Sequence, residues 1–359
     1  MSDHDGQMTR RHALQLGLGA GVGLALRPCE LWSQGAVWSS ARPATSHRAR
    51  RPIQKTHMTR KITFARDGLT LVGHLFTPTG FAETGRYDAV IVQGSLTSVK
   101  EQMAGTYAEK LAAEGFVALA FDYSHYGESA GEPRQLESPA EKLRDLQAAV
   151  SYLAGLPYVR AVGVVGICTS AGNAVELAAA DPRVAALATV AAFLPSPALY
   201  GQMYGEAGVA QRQATAAAAR RKYEATGETD LVPAYSEVDP TALNYRPTAG
   251  AYDYYLNPSR GGVHEYRNAF AVMGLEQLLA FDPVSRAARI ATPTMVVHAD
   301  GCAFPDEARR LYAALRGEKE LVWADGTHFD YYDAPAQVDH AVANVTRFFR
   351  THLTGERSR

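Results

Sequence analysis

Hydrophobic and polar positions change rhythm twice along the chain. From Lys61 they alternate, with Ile62, Phe64, Leu69 and Leu71 apolar and Asp67-Gly68 between the pairs, which predicts an antiparallel hairpin closed by a tight turn. Beyond it come short apolar runs rich in Val, Ala and Leu: Ala89 to Gln93, Phe116 to Asp122, Ala161 to Gly166, Val184 to Phe193, Thr294 to Ala299 and Glu320 to Ala324. Continuous runs of this kind are what strands buried on both faces require. Helical patterns separate most of them. Ser138-Pro139-Ala140-Glu141 combines a capping box with proline at the first helical position, and the amphipathic stretch after it reaches about Leu156. Others run from near Pro305 to near Gly317 and from about Pro335 to Leu353. Strand alternating with helix predicts an α/β architecture, a doubly wound and mostly parallel sheet with helices on both faces.

The second change falls at residues 196–285, which are helical in composition and hold nine of the eighteen tyrosines. This stretch is expected to form a helical, tyrosine-rich cap inserted after the sixth strand, with 58–195 and 286–359 making the core. A packing interface would also account for the tyrosines.

Residues 1–57 read differently. Thr9-Arg10-Arg11-His12-Ala13-Leu14-Gln15 followed by the mildly apolar, glycine-rich run from Leu14 to Leu26 resembles a twin-arginine export signal, and 27–57 read as a disordered linker. The alternative is that translation starts at Met58 and the chain is cytoplasmic. The apolar run is too short and weak to span a membrane stably. Its glycines, Gly17 to Gly23, do not make a dinucleotide fingerprint, and no strand precedes them.

Charge adds little. The 36 Lys and Arg nearly balance the 37 Asp and Glu, so no nucleic-acid footprint is expected. Three cysteines, Cys29, Cys168 and Cys302, cannot make a disulfide framework, and no metal-ligand spacing stands out. No cofactor and no metal are expected, and the partner is expected to be a small-molecule substrate.

The candidate chemistry centres on Gly166-Ile167-Cys168-Thr169-Ser170, between the run Ala161 to Gly166 and a small-residue helix. A nucleophile on a sharp strand-to-helix turn needs small residues two positions before and after it, as in G-x-S-x-G, here with Cys168 at the centre. Ser170, centred between Cys168 and Gly172, is the alternative nucleophile. A thiol at a helix N-terminus beside a histidine is expected to have a lowered pKa. His328, after the last apolar run and before the final helix, stands where this arrangement places its general base. The acid is expected at Asp300, with Asp306 and Glu307 as alternatives, because the usual spacing after Thr294 to Ala299 falls on Cys302, which cannot serve. For the oxyanion, the amide of Thr169 and that of Ser95 or Leu96 are expected donors. Tyr254, Tyr255, Tyr200 and Tyr204 are candidate substrate contacts.

Taken together, these residues resemble the dienelactone-hydrolase-like branch of the α/β-hydrolase superfamily, which includes fungal polyketide transferases. The resemblance is carried by Val99-Lys100-Glu101-Gln102, Phe121-Asp122-Tyr123, Gly127-Glu128-Ser129, Gly131-Glu132-Pro133-Arg134, the elbow through Gly172, Asp181-Pro182-Arg183, Tyr254-Tyr255 and Asn268. Members more often have glycine where Ala171 stands. The resemblance implies a hydrolase acting on an ester or thioester through an acyl-cysteine. Acyl transfer to an alcohol or amine is the nearest alternative. A non-hydrolytic isomerase, lyase or cyclase using the Cys/His pair, or a silent binding protein, lies further off.

Overall fold

The computed structural model describes residues 57–353. The export-signal reading therefore lies outside the described residues. Eight strands form one sheet: β1 (His57–Arg66), β2 (Leu69–Pro78), β3 (Tyr87–Gln93), β4 (Val117–Phe121), β5 (Val159–Ile167), β6 (Val184–Val190), β7 (Thr294–His298) and β8 (Lys319–Trp323). Their order is 1-2-4-3-5-6-7-8, with β1 and β2 antiparallel and the rest of the sheet parallel from β4 onward. The β1–β2 turn has both Asp67 and Gly68 at positive φ, the backbone that a two-residue hairpin turn matched to strand twist requires.

Period-two alternation in the central strands feeds two cores. Val90 and Val92 of β3 face one, with helix α1 (Met103–Ala113) and the C-terminal helix, while Ala89 and Ile91 face the other, with α2 (Pro139–Ala154) and α3 (Ser170–Ala180). The capping box works at one end only. The Ser138 hydroxyl accepts the Glu141 amide at 3.2 Å, but the Glu141 carboxylate pairs with Arg66 and Arg144 instead of turning back.

Between β6 and β7 lies the insertion. It opens with α4 (Pro197–Thr226), kinked at Gly205, and includes two short helices, α5 (Asp253–Leu256) and α6 (Leu275–Ala280). Two short ladders, which composition did not reveal, pair Leu231–Val232 with Phe270–Ala271 and Tyr235–Ser236 with Asn244–Tyr245. After β7 come α7 (Pro305–Ala314), α8 (Asp330–Asp333) and α9 (Pro335–Leu353). Among the described residues no helix is long and apolar enough to cross a membrane.

One position governs how β5 meets α3. A Cβ on Gly166 would fall against the Ser170 carbonyl oxygen and 2.7 Å from the Ala171 Cα, both backbone atoms that cannot swing aside. Gly166→Ala is expected to destabilise the protein by about 1–3 kcal/mol through this overpacking. Gly201→Ala, where a Cβ meets nothing, is expected to be neutral or mildly stabilising. Urea unfolding of the two variants reads the contrast.

Candidate active site

The turn after β5 places Cys168 at φ 56, a left-handed conformation that costs a non-glycine residue about 1–3 kcal/mol. Surrounding hydrogen bonds hold it there. The Cys168 amide donates to the Val190 carbonyl at 3.1 Å, and its carbonyl accepts the amides of Ala171 and Phe193, each at 3.0 Å. Behind it, Gly172 leaves room for Pro283 and Phe281, against which a Cβ would press at 2.9 and 3.0 Å. The chain is thus anchored on both sides of the sulfur by β6 and α3.

Cys168 lines a pocket with a cavity volume of about 60 Å³, at whose walls the core and the insertion meet. Cys168, Thr169, Leu96 and His328 line it from the core, together with Tyr332, Phe329, Phe193 and Ala303. Tyr235, Tyr252, Tyr255, Asn244, Arg246 and Ala251 line it from the insertion. The wall is largely aromatic, with Arg246 as the cation among the lining residues.

The Thr169 hydroxyl lies 3.7 Å from the sulfur, and polar groups of Tyr332, Thr169 and Leu96 around it favour the thiolate. Of the two residues expected to give the second oxyanion amide, Leu96 lines the pocket beside Cys168 and Ser95 does not. Ser95 is buried, and its hydroxyl accepts from Tyr255 at 2.7 Å. Burial raises the thiol above its ordinary value, and the polar groups around it only partly pull it back. This corrects the expected lowering: closing the pocket costs the thiolate its water, and that outweighs the helix N-terminus and neighbouring ring.

His328 is buried, and burial, with a smaller contribution from the charge of His298, brings it down to about 3. Its Nδ1 accepts the Ala303 amide at 3.3 Å, and its Nε2 lies 2.9 Å from the Tyr332 hydroxyl. Tyr332 thus pairs with the ring of the candidate base. It was missed in the sequence; it lies four residues after His328, inside the short helix α8.

The expected acids go elsewhere. Asp300 is 76% exposed and pairs with Arg309 at 2.7 Å, which draws its carboxyl below the usual range. Asp306, 91% exposed, pairs with the same arginine, and Glu307 pairs with Arg310 at 2.5 Å. The loop is pinned instead by a bridge between Gly301 and Thr327, and a Cβ on Gly301 would strike the Gly326 carbonyl. That contact leaves Cys302, at the usual acid position, fully buried with its thiol pushed up to about 12. Both described cysteines are free.

The other candidates divide. Ser170 is buried in the first turn of α3, its hydroxyl 3.3 Å from that of Tyr123, and it does not line the pocket. Tyr255 lines it. Tyr254 lies behind, edge-on to Tyr255 and Tyr332 with ring centres 5.2 and 4.9 Å away. Tyr200 and Tyr204 stack on each other 6.0 Å apart and take no part in the wall. Tyr235, stacked on Tyr255 at 3.8 Å, and Tyr252 are the tyrosines the composition could not single out.

A cysteine on a strained turn after the fifth strand and a histidine after the last fit one class of protein, and comparison with known families agrees: residues 97–341 match the alpha/beta hydrolase family, to which this chain belongs. Among its relatives, the uncharacterized protein YcjY of Escherichia coli is 30% identical over 315 residues, spanning 82% of this chain and all of YcjY. The solved structure of protein PA2218 from Pseudomonas aeruginosa superposes with a TM-score of 0.71 at 28% identity, over 87% of this chain and all of that one. A fungal relative, thiohydrolase aneE of Aspergillus aculeatus, is 25% identical over 304 residues, 81% of this chain and 92% of aneE.

Two outcomes follow from the electrostatics. Alkylation of Cys168 by iodoacetamide is expected to keep rising with pH beyond the ordinary thiol value of about 8.5; a plateau below neutrality would reveal a thiolate paired with a charged histidine. Stability is expected to fall on acidification. His298 and His328 titrate at about 4 and 3 when folded, so the unfolded chain binds the extra protons as pH drops below about 6.5. The urea midpoint at pH 5 should lie below that at pH 7, and equal midpoints would contradict the buried, neutral histidines.

Proposed function

We propose that the protein hydrolyses a carboxylic ester or thioester through an acyl-cysteine on Cys168. The observation that carries the reading is Cys168, held at positive φ on the turn after β5 and lining the aromatic pocket beside Leu96, Thr169 and His328. An acyl carbonyl brought to that sulfur would have its oxygen beside the amides of Leu96 and Thr169, the expected donors. As the S–C bond forms, the negative charge gathering on the oxygen is held by dipoles already in place, the largest electrostatic contribution to acyl transfer. Collapse expels the alcohol or thiol. Water then cleaves the acyl-cysteine.

The thiohydrolase name of one relative supports a thioester as substrate. The pocket wall supports a molecule with aromatic or extended apolar surface, since Tyr235, Tyr252, Tyr255, Phe193, Phe329 and Tyr332 offer rings and few charges. Those rings also favour a second reading. A wall that keeps water off the acyl-cysteine lets an alcohol or amine take the acyl group, so transfer competes with hydrolysis.

Incubation with the N-acetylcysteamine thioester of hexanoic acid, followed by intact-mass measurement, is expected to show an acyl adduct on the wild type. The adduct should vanish in Cys168→Ala and persist in Ser170→Ala. Loss in Ser170→Ala alone would move the chemistry to the serine and overturn the reading.

A further inference from the structure

The loop after β3 meets the insertion at three successive residues. Tyr255 of α5 donates its hydroxyl to the Ser95 hydroxyl at 2.7 Å, Tyr235 donates to the Leu96 carbonyl at 3.4 Å, and the Tyr266 and Thr97 hydroxyls lie 3.2 Å apart. The rings of Tyr235 and Tyr255 stack at 3.8 Å, so the first two contacts come from one packed pair. From within the loop, the Ser98 amide and hydroxyl both donate to the Ser95 carbonyl, at 3.2 and 2.8 Å. That carbonyl shares a planar peptide unit with the Leu96 amide, and in a trans unit the N–H points opposite to the C=O. Holding one end therefore aims the other. Thr97, next along, sits at φ 61, a backbone that a β-branched residue rarely adopts.

We propose that Tyr255 is a positioning residue for the acylation of Cys168: together with Tyr235 it fixes the Ser95–Leu96 peptide, and so makes the insertion part of the oxyanion site. The inference rests on the acyl-cysteine reading, with Leu96 as the second oxyanion donor. Leu96 lines the pocket with Cys168, whereas the Ser95 side chain is turned to Tyr255 and gives the insertion a hold on the backbone. Ser95 and Tyr255 are both buried, so water does not compete for the bond between them. A donor that stabilises a transition state must already point where the charge will appear, since turning it at that moment costs what it would contribute. A loop with Thr97 left-handed keeps its shape only where its surroundings leave no alternative, and here the insertion supplies them. Tyr255 therefore acts on a step in which negative charge gathers on the acyl oxygen. It has no part in a step that involves the sulfur alone.

The test compares two reactions of the same sulfur, both timed by intact mass. Acylation by the hexanoyl thioester of N-acetylcysteamine, at saturating concentration, passes through an oxyanion. Alkylation by iodoacetamide displaces iodide at a saturated carbon and forms none. Tyr255→Phe keeps the ring and loses the hydroxyl. Its acylation is expected to slow by about 10-fold or more, short of the ~100-fold that losing a whole oxyanion donor costs, with alkylation within about two-fold of wild type. Ser95→Ala removes the other half of the same bond and should give the same split, and the double variant should lose little more than either alone. Unchanged acylation in Tyr255→Phe would overturn the proposal. Equal losses in both reactions would overturn it too, because they would place the damage at the thiol or at His328, reached through the Tyr332 hydroxyl 3.5 Å from that of Tyr255. A rise in the thioester concentration needed for half-maximal rate, with the saturated rate intact, would make Tyr255 a substrate contact instead. If the thioester does not acylate the wild type, the acyl-cysteine reading fails and the positioning role with it. Acylation of the wild type, with losses that multiply in the double variant, sinks the positioning role alone.

Discussion

Everything at this site depends on one strained peptide, the turn at Cys168. Its left-handed backbone lifts the sulfur off the end of β5 and lets α3 begin at once, with Thr169, the residue after Cys168, as its N-cap. Such a conformation persists only where its surroundings leave no alternative. Gly166 supplies the room, the Val190 carbonyl takes the Cys168 amide, and the cores on both faces fix the strand and helix that the turn joins.

The segment after β3 that carries Leu96 is held from a distance. Lys100, fully buried, reaches Asp122 at 2.8 Å, Glu128 at 2.9 Å and Glu101 at 2.7 Å, and its amide donates to the other Asp122 oxygen. Gly127 makes this possible, since a side chain there would collide with the Asp122 carboxylate. The cluster fastens the segment after β3, and with it Leu96, to the end of β4. Three of the stretches that suggested the family in the sequence, Val99-Lys100-Glu101-Gln102, Phe121-Asp122-Tyr123 and Gly127-Glu128-Ser129, meet here. They hold the segment after β3 in place. A buried ion cluster of this kind is costly to break, because removing one partner strands the other charges without water.

The strands were legible because burial on both faces writes itself as continuous apolar runs, and the elbow because its steric needs demand small residues at fixed offsets. The α2 start was legible too, since Ser138 and Pro139 act locally. What failed to show were relations across the chain. Nothing near Asp300 in the sequence says that Arg309, one helix turn into α7, will draw it outward. Nor could tyrosine counts separate Tyr235 and Tyr252, which face the pocket, from Tyr200 and Tyr204, which face each other. The expectation of an acidic thiol went wrong for a related reason. Helix dipole and histidine are visible in sequence, whereas desolvation depends on the insertion closing over them.

The central claim is that Cys168 receives the acyl group with its oxygen held between two amides. The most direct measurement is a crystal structure of the protein carrying a stable acyl or acyl-mimetic adduct. The account predicts a bond to the Cys168 sulfur, with the carbonyl oxygen within hydrogen-bonding reach of both the Leu96 and Thr169 amides. An adduct on Ser170, or an acyl oxygen turned away from both amides, would contradict it.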